Sequence, residues 1–283
     1  MNNMYHEINP LHYGIAIERE ETLFKDKSPY QEVEIFKSKG LGNVLTLDGL
    51  MMTTEGDEYF YHEMIAHIPL IAHNNPENIL VIGGGDGGTV REVLKHKTVK
   101  SVEMCEIDGM VIEASKKYLS SISCGLNDPK VKIYVEDAIE FIKNKKNCYD
   151  VVLIDSTDPM GPGEGLFTEE FYTNVKNSLK KGGIVVPQSE SPFANVSEMG
   201  KMYKLLRKVF KNVAPYCGPI PTYPGGYWSW AFCSDDVDVP HCHKKVDSDR
   251  ADEISKLCKI YNARMQTAVF DVPNFVRKIA LGE

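Results

Sequence analysis

The chain has 283 residues, of which 42% are hydrophobic and 25% are charged, and its formal net charge is −8. This length accommodates a large domain and a smaller one, and the composition is that of a globular protein in water. The acidic balance argues against nucleic acid as a partner and favours small cationic ligands. No apolar stretch approaches the ~20 residues that a bilayer-spanning helix needs, so no membrane contact is expected.

Seven scattered cysteines without C-x-x-C spacing predict reduced thiols, as in the cytoplasm. Residues 1–7 lack the basic and apolar segments of a signal peptide, which also favours a cytoplasmic location. His241-Cys242-His243 is spaced like a metal-binding group, but no matching ligand pair accompanies it. No metal site is therefore expected.

Residues 1–56 are predicted to form an N-terminal domain of β-strands, because short alternating apolar runs are separated by polar turns. Within this domain, Asp48-Gly49 supplies the two left-handed positions of a tight hairpin turn. Asp57 is a predicted cap for a helix from about residue 58 to 72, and Pro76 follows that helix as a chain breaker.

From residue 57 to 283 the pattern predicts a second domain in which strands alternate with helices. The predicted strands are 78–83, 99–106, 131–135, 149–155 and 182–187. A late hairpin is predicted from two apolar runs, 212–216 and 227–233, joined by the turn at 222–226, and helices are predicted near 250–261 and 273–281. The fold class is therefore α/β, with a mostly parallel, class I methyltransferase-like Rossmann sheet that a late antiparallel hairpin extends.

A glycine-rich loop follows the first of these strands. Gly83, Gly85 and Gly88 match G-x-G-x-x-G, a pattern that lets backbone approach a ligand at the start of a helix. Asp86 lies inside this loop, where a carboxylate would repel the pyrophosphate of a dinucleotide. The loop is therefore predicted to receive a cationic ligand.

Carboxylates stand at the ends of four consecutive predicted strands: Asp86, Glu106, Asp137 and Asp155. In parallel sheets these ends meet at one crevice, and an acid about twenty residues after the glycines is placed to bind ribose hydroxyls. Asp137 has a second interpretation, as the cap of the helix that begins at Ala138. Clustered carboxylates need cations nearby, so the pattern predicts a positively charged ligand with an adenosine part.

The motifs together resemble the spermidine synthases, a family of polyamine aminopropyltransferases. The resemblance covers about residues 5 to 280. It rests on these segments in order: Leu47-Asp-Gly49, Tyr61-His-Glu-Met64, Gly83-Gly-Gly-Asp-Gly-Gly88, Cys105-Glu-Ile-Asp108, Glu136-Asp-Ala138, Asp155-Ser-Thr-Asp-Pro-Met-Gly-Pro162 and Ile220-Pro-Thr-Tyr-Pro224.

The resemblance implies transfer of an aminopropyl group from decarboxylated S-adenosylmethionine to putrescine, giving spermidine and 5′-methylthioadenosine. The donor is a co-substrate, and no other cofactor is implied. Asp86 then faces the ammonium of the aminopropyl tail, because this donor lacks the methionine carboxylate. Family members commonly assemble as dimers or tetramers through the N-terminal domain, which implies a homodimer or homotetramer here.

The resemblance also assigns roles to residues. Asp155 is the base that accepts the amine proton, with Tyr61 and Ser156 orienting the amine and Asp158 holding an ammonium group. Glu106 binds the ribose. The remaining implied substrate contacts are Gln31 at the nucleoside, Asp137, Ala138 and Pro162 at the adenine, His62 and Tyr223 at the polyamine, Thr157 within the Asp155 motif, and, as weaker candidates for the far end of putrescine, Glu7 and Glu190.

Several alternatives stay open at this point. Met52, His12 and His62 differ from the residues of some relatives and border the acceptor or donor pocket, so cadaverine or agmatine could replace putrescine. An S-adenosylmethionine-dependent diamine N-methyltransferase is disfavoured by Asp86. A nicotinamide-dependent dehydrogenase lacks room for a catalytic domain, and a non-catalytic homologue is disfavoured by the retained acids. The segment Met160–Gly165 is either a linker or a lid over the substrates.

Overall fold

A computed structural model describes residues 3–157, 165–237 and 248–282. Its N-terminal part is one antiparallel sheet in the strand order β1-β2-β3-β4-β5. The strands are β1 (Met4–Ile8), β2 (Gly14–Lys27), β3 (Glu32–Ser38), β4 (Gly42–Leu47) and β5 (Leu50–Thr54). The predicted all-β N-terminal domain is thus confirmed, whereas its boundary at residues 56 and 57 stays a prediction.

The predicted hairpin turn joins β4 to β5. Leu47 pairs with Leu50, and the two residues between them, Asp48 and Gly49, have φ angles of 49° and 81°. Positive φ at both central positions gives the turn a twist that matches the strands on either side. The hairpin predicted from Asp48-Gly49 is therefore confirmed.

The second sheet has seven strands in the order β11-β12-β10-β9-β6-β7-β8. The pairs from β10 to β8 are parallel, and β12 and β11 add an antiparallel edge. The strands are β6 (Asn78–Gly83), β7 (Ser101–Glu106), β8 (Val131–Val135), β9 (Tyr149–Asp155), β10 (Leu179–Pro187), β11 (Asn212–Pro219) and β12 (Tyr227–Ser234). This arrangement confirms the predicted Rossmann-like sheet with a late hairpin.

Helices cover both faces of this sheet. They are α1 (Tyr59–Ala72), α2 (Gly88–Leu94), α3 (Gly109–Tyr118), α4 (Ser120–Ser123), α5 (Ala138–Lys143), α6 (Glu169–Ser178), α7 (Val196–Val209), α8 (Ser248–Ser255), α9 (Met265–Ala268) and α10 (Asn274–Leu281), with a 3-10 turn at Cys124–Asn127. Side chains of β6 alternate between two apolar clusters, Ile79 and Val81 in one and Leu80 and Ile82 in the other. Burial on both faces explains why this strand is a continuous apolar run.

The parallel register places the functional ends of β6 and β9 side by side, since Gly83 pairs with Asp155. Among the residues that the structure describes, no helix has the length and apolar character that crossing a bilayer requires.

Two strand boundaries differ from the predictions. Strand β7 begins at Ser101 rather than at residue 99, because the N–H groups of Lys100 and Ser101 both bond to the Glu77 carbonyl. Strand β10 begins at Leu179, where a first pairing with Tyr149 precedes an irregular stretch before the regular register at Ile184. The apolar residues of the sequence predict only the regularly paired part of β10, near residues 182–187.

The helix predicted near residues 250–261 is wrong in extent, because α8 ends at Ser255. The carboxylate of Glu63, on α1, accepts hydrogen bonds from the backbone N–H groups of Lys259, Ile260 and Tyr261 at 2.7–2.8 Å. These bonds hold that segment in a non-helical conformation, and a long-range partner of this kind leaves no local sequence signal.

The predicted capping role of Asp57 is also wrong. The carboxylate of Asp57 accepts hydrogen bonds from the Thr54 hydroxyl at 2.7 Å and from the Thr222 N–H at 2.9 Å. Position 58 is the cap of α1 and carries no side-chain capping bond. Asp57 therefore joins the N-terminal sheet to the turn after β11, which closes one wall of the site described next.

Candidate active site

A cavity of about 580 Å³ lies at the carboxyl ends of β6, β7, β8 and β9, with one wall from the N-terminal sheet. This volume suits a small-molecule ligand or a pair of them. Twelve of the predicted site residues line it: Glu7, Gln31, Tyr61, His62, Asp86, Glu106, Asp137, Ala138, Asp155, Ser156, Thr157 and Tyr223. The position of the cavity agrees with the rule for ligand sites in open parallel sheets.

The lining is strongly acidic. Among the described residues that line the cavity there are seven carboxylates and no lysine or arginine. The acids are Glu7, Asp57, Glu58, Asp86, Glu106, Asp137 and Asp155. Such a cluster is stabilised when a cation enters, so the cavity is built for a positively charged ligand.

The glycine loop fits closely against β9. Gly83 has a φ of 77°, and a Cβ there would lie 2.2 Å from the Asp155 carbonyl oxygen, so only glycine fits. The next residue, Gly84, donates its N–H to that carbonyl at 2.9 Å. This contact brings Asp86 into the same cavity as Asp155.

Asp86 is held as an anion. Its Oδ1 accepts a hydrogen bond from the Gly88 N–H at 2.7 Å, and its Oδ2 lies 3.4 Å from His62 Nε2. Burial acts to raise the pKa of Asp86, but His62 and the Gly88 N–H outweigh it and hold that pKa below its usual value. A negative charge therefore persists in the loop before any ligand arrives.

Asp155 has the opposite shift. Burial, together with the charge of nearby Asp86, raises the pKa of the Asp155 carboxyl above its usual value. The Thr89 hydroxyl donates to Asp155 Oδ2 at 2.6 Å, and Tyr61 is a further hydrogen-bond partner. Two neighbouring carboxylates with pKa values pushed apart are typical of a site that divides binding and proton transfer between them.

His62 lies between two acids. Its Nδ1 is 2.6 Å from Glu58 Oε2, one turn earlier on the same helix, and its Nε2 faces Asp86. The Glu58 carboxylate is held in turn by Arg91 at 2.7 Å. Arg91, Glu58, His62 and Asp86 thus form a hydrogen-bonded row in which basic and acidic groups alternate, so each buried acid has a basic partner.

Glu106 ends β7 and accepts a hydrogen bond from the Asp108 N–H at 2.9 Å. Burial, reinforced by the charges of Asp108 and Asp155, raises the pKa of Glu106 from 4.5 to about 7. Gln31 reaches this region from β2–β3 and donates to Asp108 Oδ2 at 3.0 Å. A half-protonated carboxylate at neutral pH would become fully charged once ligand hydroxyls donate to it.

Asp137 caps helix α5, as the second interpretation of the sequence predicted. Its side chain accepts a hydrogen bond from the Ile139 N–H at 2.8 Å and caps α5. It also lines the cavity beside buried Ala138, so capping and a ligand contact are compatible.

The residues expected at the far end of the acceptor differ in position. Glu7 lines the cavity, where its Oε2 accepts from the Tyr5 hydroxyl at 2.5 Å and the Met51 N–H at 2.7 Å. Glu190 is buried and bonded to the Asn195 amide at 2.8 Å, and it is not among the residues that line the cavity. Asp158, Pro162 and most of the predicted lid fall in 158–164, outside the described residues, as does the His241–His243 group.

Sequence reasoning missed three participants. Thr89 binds Asp155, and no pattern singled it out. Glu58 precedes His62 by four positions, the spacing that places two side chains on one helix face, and this signal could have revealed the pair. Asp108 stood inside a quoted motif, but its partnership with Gln31 is a contact across 77 positions.

One group among the described residues could hold a metal ion: ligand atoms of His67, Glu92 and Cys258 lie within 4.8 Å of one another. Glu92 Oε2 is, however, only 2.5 Å from the Lys95 ammonium, and Glu92 Oε1 is 2.9 Å from Arg91. The carboxylate thus already has cationic partners, and the cluster is better described as a buried ion-pair network.

Comparisons with known families and structures agree with this geometry. A family model described as the spermine/spermidine synthase domain matches residues 58–245, and one described as the spermidine synthase tetramerisation domain matches residues 4–55. A polyamine aminopropyltransferase of Thermotoga neapolitana is 43% identical over 94% of this chain and 89% of its own. One from Alkaliphilus metalliredigens is 41% identical over 98% of both chains.

Solved structures show the same likeness. A spermidine synthase crystallised with the transition-state analogue AdoDATO superposes with a TM-score of 0.95 and 41% identity, covering 99% of this chain and 95% of that one. The spermidine synthase of Thermotoga maritima gives 0.93 and 40%, covering 99% and 94%. The acid-lined cavity, the two-domain architecture and these matches together show that the chain belongs to the spermine/spermidine synthase family, as a polyamine aminopropyltransferase.

Proposed function

We propose that this enzyme transfers the aminopropyl group of decarboxylated S-adenosylmethionine to putrescine and releases spermidine and 5′-methylthioadenosine. The observation that carries the proposal is the cavity lined by seven carboxylates and, among described residues, no lysine or arginine. The donor brings a sulfonium and an ammonium, and a diamine brings two ammonium groups. Anionic substrates would be repelled by this acidic lining.

The donor is proposed to lie along the ends of β6, β7 and β8. Glu106 accepts hydrogen bonds from the ribose hydroxyls, with Gln31 at the nucleoside. Asp137 and Ala138 line the adenine pocket, to which the sequence motif adds Pro162. Asp86 binds the ammonium of the aminopropyl tail, a role that its persistent negative charge supports.

The chemical step is a displacement at the methylene carbon beside the sulfonium. A neutral amine nitrogen forms the new C–N bond, the C–S bond breaks, and its electron pair leaves on the sulfur of neutral methylthioadenosine. Since an alkylammonium has a pKa of roughly 10, the amine must first lose a proton. Asp155 accepts it, and the raised pKa of this buried carboxyl brings it closer to the amine.

The acceptor is proposed to lie between Asp155 and the N-terminal sheet. Tyr61 and Ser156 orient the attacking amine, and His62, Thr157 and Tyr223 line its path. The Tyr223 hydroxyl is fixed by the Met52 carbonyl at 2.8 Å, so it presents its ring rather than a free donor. Glu7 is the proposed anchor for the far ammonium, and the motif adds Asp158 near the reacting amine.

The oligomer is proposed to be a homotetramer, with a homodimer as the smaller possibility. The match of residues 4–55 to the spermidine synthase tetramerisation domain supports the larger assembly. Light scattering on purified protein measures it directly, since a tetramer has four times the chain mass.

The proposed reaction is tested by incubating the purified enzyme with the donor and one amine at a time. Putrescine should give the fastest appearance of methylthioadenosine, detected by mass spectrometry, with an equal amount of spermidine. Faster turnover with cadaverine, agmatine or spermidine would replace putrescine as the acceptor and leave the reaction class intact. Absence of methylthioadenosine with every amine would refute aminopropyl transfer.

A further inference from the structure

The His62 ring is fixed in place on several sides. Glu58 Oε2 lies 2.6 Å from Nδ1, and Asp86 Oδ2 lies 3.4 Å from Nε2. A Cβ at Gly88 would lie only 2.2–2.6 Å from three ring atoms, which shows how closely the ring packs on that backbone. Tyr61 meets the ring edge-on at 5.6 Å. The ring therefore cannot swing away when a ligand enters.

The charges around His62 come from four elements. Glu58 lies at the N-terminal cap of α1, Asp86 lies in the loop after β6, and Asp155 lies at the end of β9. From α2, Arg91, which is not among the residues that line the cavity, binds Glu58 Oε2 at 2.7 Å. Three carboxylates thus act on the imidazole, whereas the guanidinium of Arg91 is bonded to Glu58 and acts on Asp86 only through its charge.

This arrangement favours a doubly protonated ring in the empty site. Burial acts to lower the pKa of His62, but Asp86 and Glu58 outweigh it and raise that pKa well above 6.5. The imidazolium then donates to both acids and partly neutralises Asp86. In the proposed complex, however, Asp86 faces the ammonium of the donor. If His62 stayed protonated, that ammonium would lie beside the imidazolium.

We propose that donor binding expels a proton from His62 Nε2 to solvent, and that Glu58 is the positioning residue that sets how firmly the free enzyme holds it. The inference rests on the proposed function, since it takes the ammonium of the aminopropyl tail as the incoming cation. One imidazolium becomes one neutral imidazole and one released proton. The freed Nε2 lone pair then accepts a hydrogen bond from the ammonium, which shares Asp86.

Because of this exchange, the net charge at the glycine loop hardly changes when the donor binds. The ammonium replaces the proton beside Asp86, so the anion is paired both before and after binding. Methylthioadenosine has the same adenosine part and no aminopropyl tail, so it leaves the His62 proton in place. The difference between the two ligands isolates the ammonium from effects at Glu106.

Isothermal titration calorimetry in buffers of different ionisation enthalpy measures the number of protons released. We expect the donor to release about one proton more than methylthioadenosine at pH values between the His62 pKa of the free and the bound enzyme. The titrations should cover pH 6 to 9, with the intact enzyme and each ligand alone.

Two variants assign the proton. His62→Gln keeps hydrogen-bonding atoms without a titrating ring, so the donor-minus-methylthioadenosine difference should fall to near zero at every pH. Glu58→Gln removes one carboxylate that holds the proton, so the maximum of the difference should move to lower pH. Glu113→Gln, on the exposed face of α3 beside Lys116, is the matched control and should behave as the parent.

The measured proton counts decide whether His62 releases the proton. An equal proton count for the two ligands in the parent enzyme, or an undiminished difference in His62→Gln, would overturn the inference. If the enzyme turns over donor and putrescine while showing either result, only this inference fails. If neither ligand binds and no methylthioadenosine forms, the proposed function fails and the inference with it.

Discussion

Thr89 donates a 2.6 Å hydrogen bond to Asp155 Oδ2, although 66 positions separate the two residues. The bond joins the first turn of α2 to the end of β9 and holds the carboxylate that is proposed as the base. Because Gly83 and Gly84 contact the Asp155 backbone at the same point, the loop and the strand end form one rigid unit. The carboxylates proposed to bind the donor and to accept the proton, Asp86 and Asp155, are thereby fixed relative to each other.

Replacing Asp155 with asparagine should lower kcat by about 10²- to 10⁴-fold, the usual contribution of a general base. The affinity for methylthioadenosine should hardly change, because the adenosine contacts are made elsewhere. Steady-state kinetics and calorimetry measure the two quantities separately.

The matched control is Asp150→Asn, at the opposite end of the same strand. Asp150 accepts backbone N–H bonds from Glu77 and Asn78 at 3.0 and 2.8 Å, so its loss should lower the melting temperature and spare kcat. Equal kcat in the parent and Asp155→Asn would remove Asp155 as the base.

Ligand affinity should depend on pH through Glu106. Its pKa of about 7 in the free enzyme means that the carboxylate, which is proposed to accept hydrogen bonds from ribose, is protonated as the pH falls below that value. Methylthioadenosine should therefore bind about tenfold more weakly for each pH unit below 7, and with constant affinity above about pH 8. Glu106→Gln should bind weakly at all pH values. A flat pH profile for the parent would contradict the ribose role.

Much of the fold follows from local patterns. The period of the apolar residues locates β6 and β9, and Asp48-Gly49 identifies the hairpin, because both are set by neighbouring residues. The sequence also predicts that the four acids at the strand ends converge, since the carboxyl ends of parallel strands lie at one edge of the sheet. Contacts across long separations could not be predicted in this way. Glu63 binds the backbone of Lys259, 196 positions later, and Thr89 and Asp108 have equally non-local partners.

Gly88 should not tolerate a side chain. An alanine Cβ would lie 2.2 Å from His62 Cε1, so the ring would have to leave its position between Glu58 and Asp86. We expect Gly88→Ala to lose about 1–3 kcal/mol of unfolding free energy and to bind the donor more weakly. Denaturant titration and calorimetry test both effects. Gly40→Ala has no atom within 4 Å of the new Cβ and should match the parent.

The buried network at Glu92 should matter for stability. Removing its charge by Glu92→Gln leaves Arg91, Lys95 and His67 without their shared anion, at a cost of about 3 kcal/mol. The pKa of Glu92 is held far below its usual value, so its contribution is present above about pH 4.5 and lost as the pH falls further. Denaturant titration at pH 7 and pH 4 measures the difference.

The control for this network is Glu253→Gln, which breaks an ion pair with Lys97 in which both side chains are exposed. Surface pairs contribute at most about 1 kcal/mol, so this variant should unfold close to the parent. Equal losses in the two variants would show that the buried network gives no special stability.

Aminopropyl transfer is tested most directly by giving the enzyme both donors at once, S-adenosylmethionine and its decarboxylated form, with putrescine. Mass spectrometry of the products should show methylthioadenosine and spermidine in equal amounts and no S-adenosylhomocysteine, because the anionic Asp86 should repel the methionine carboxylate and, in the proposed complex, binds the ammonium. Formation of S-adenosylhomocysteine and methylated putrescine, without methylthioadenosine, would contradict the assignment of this site.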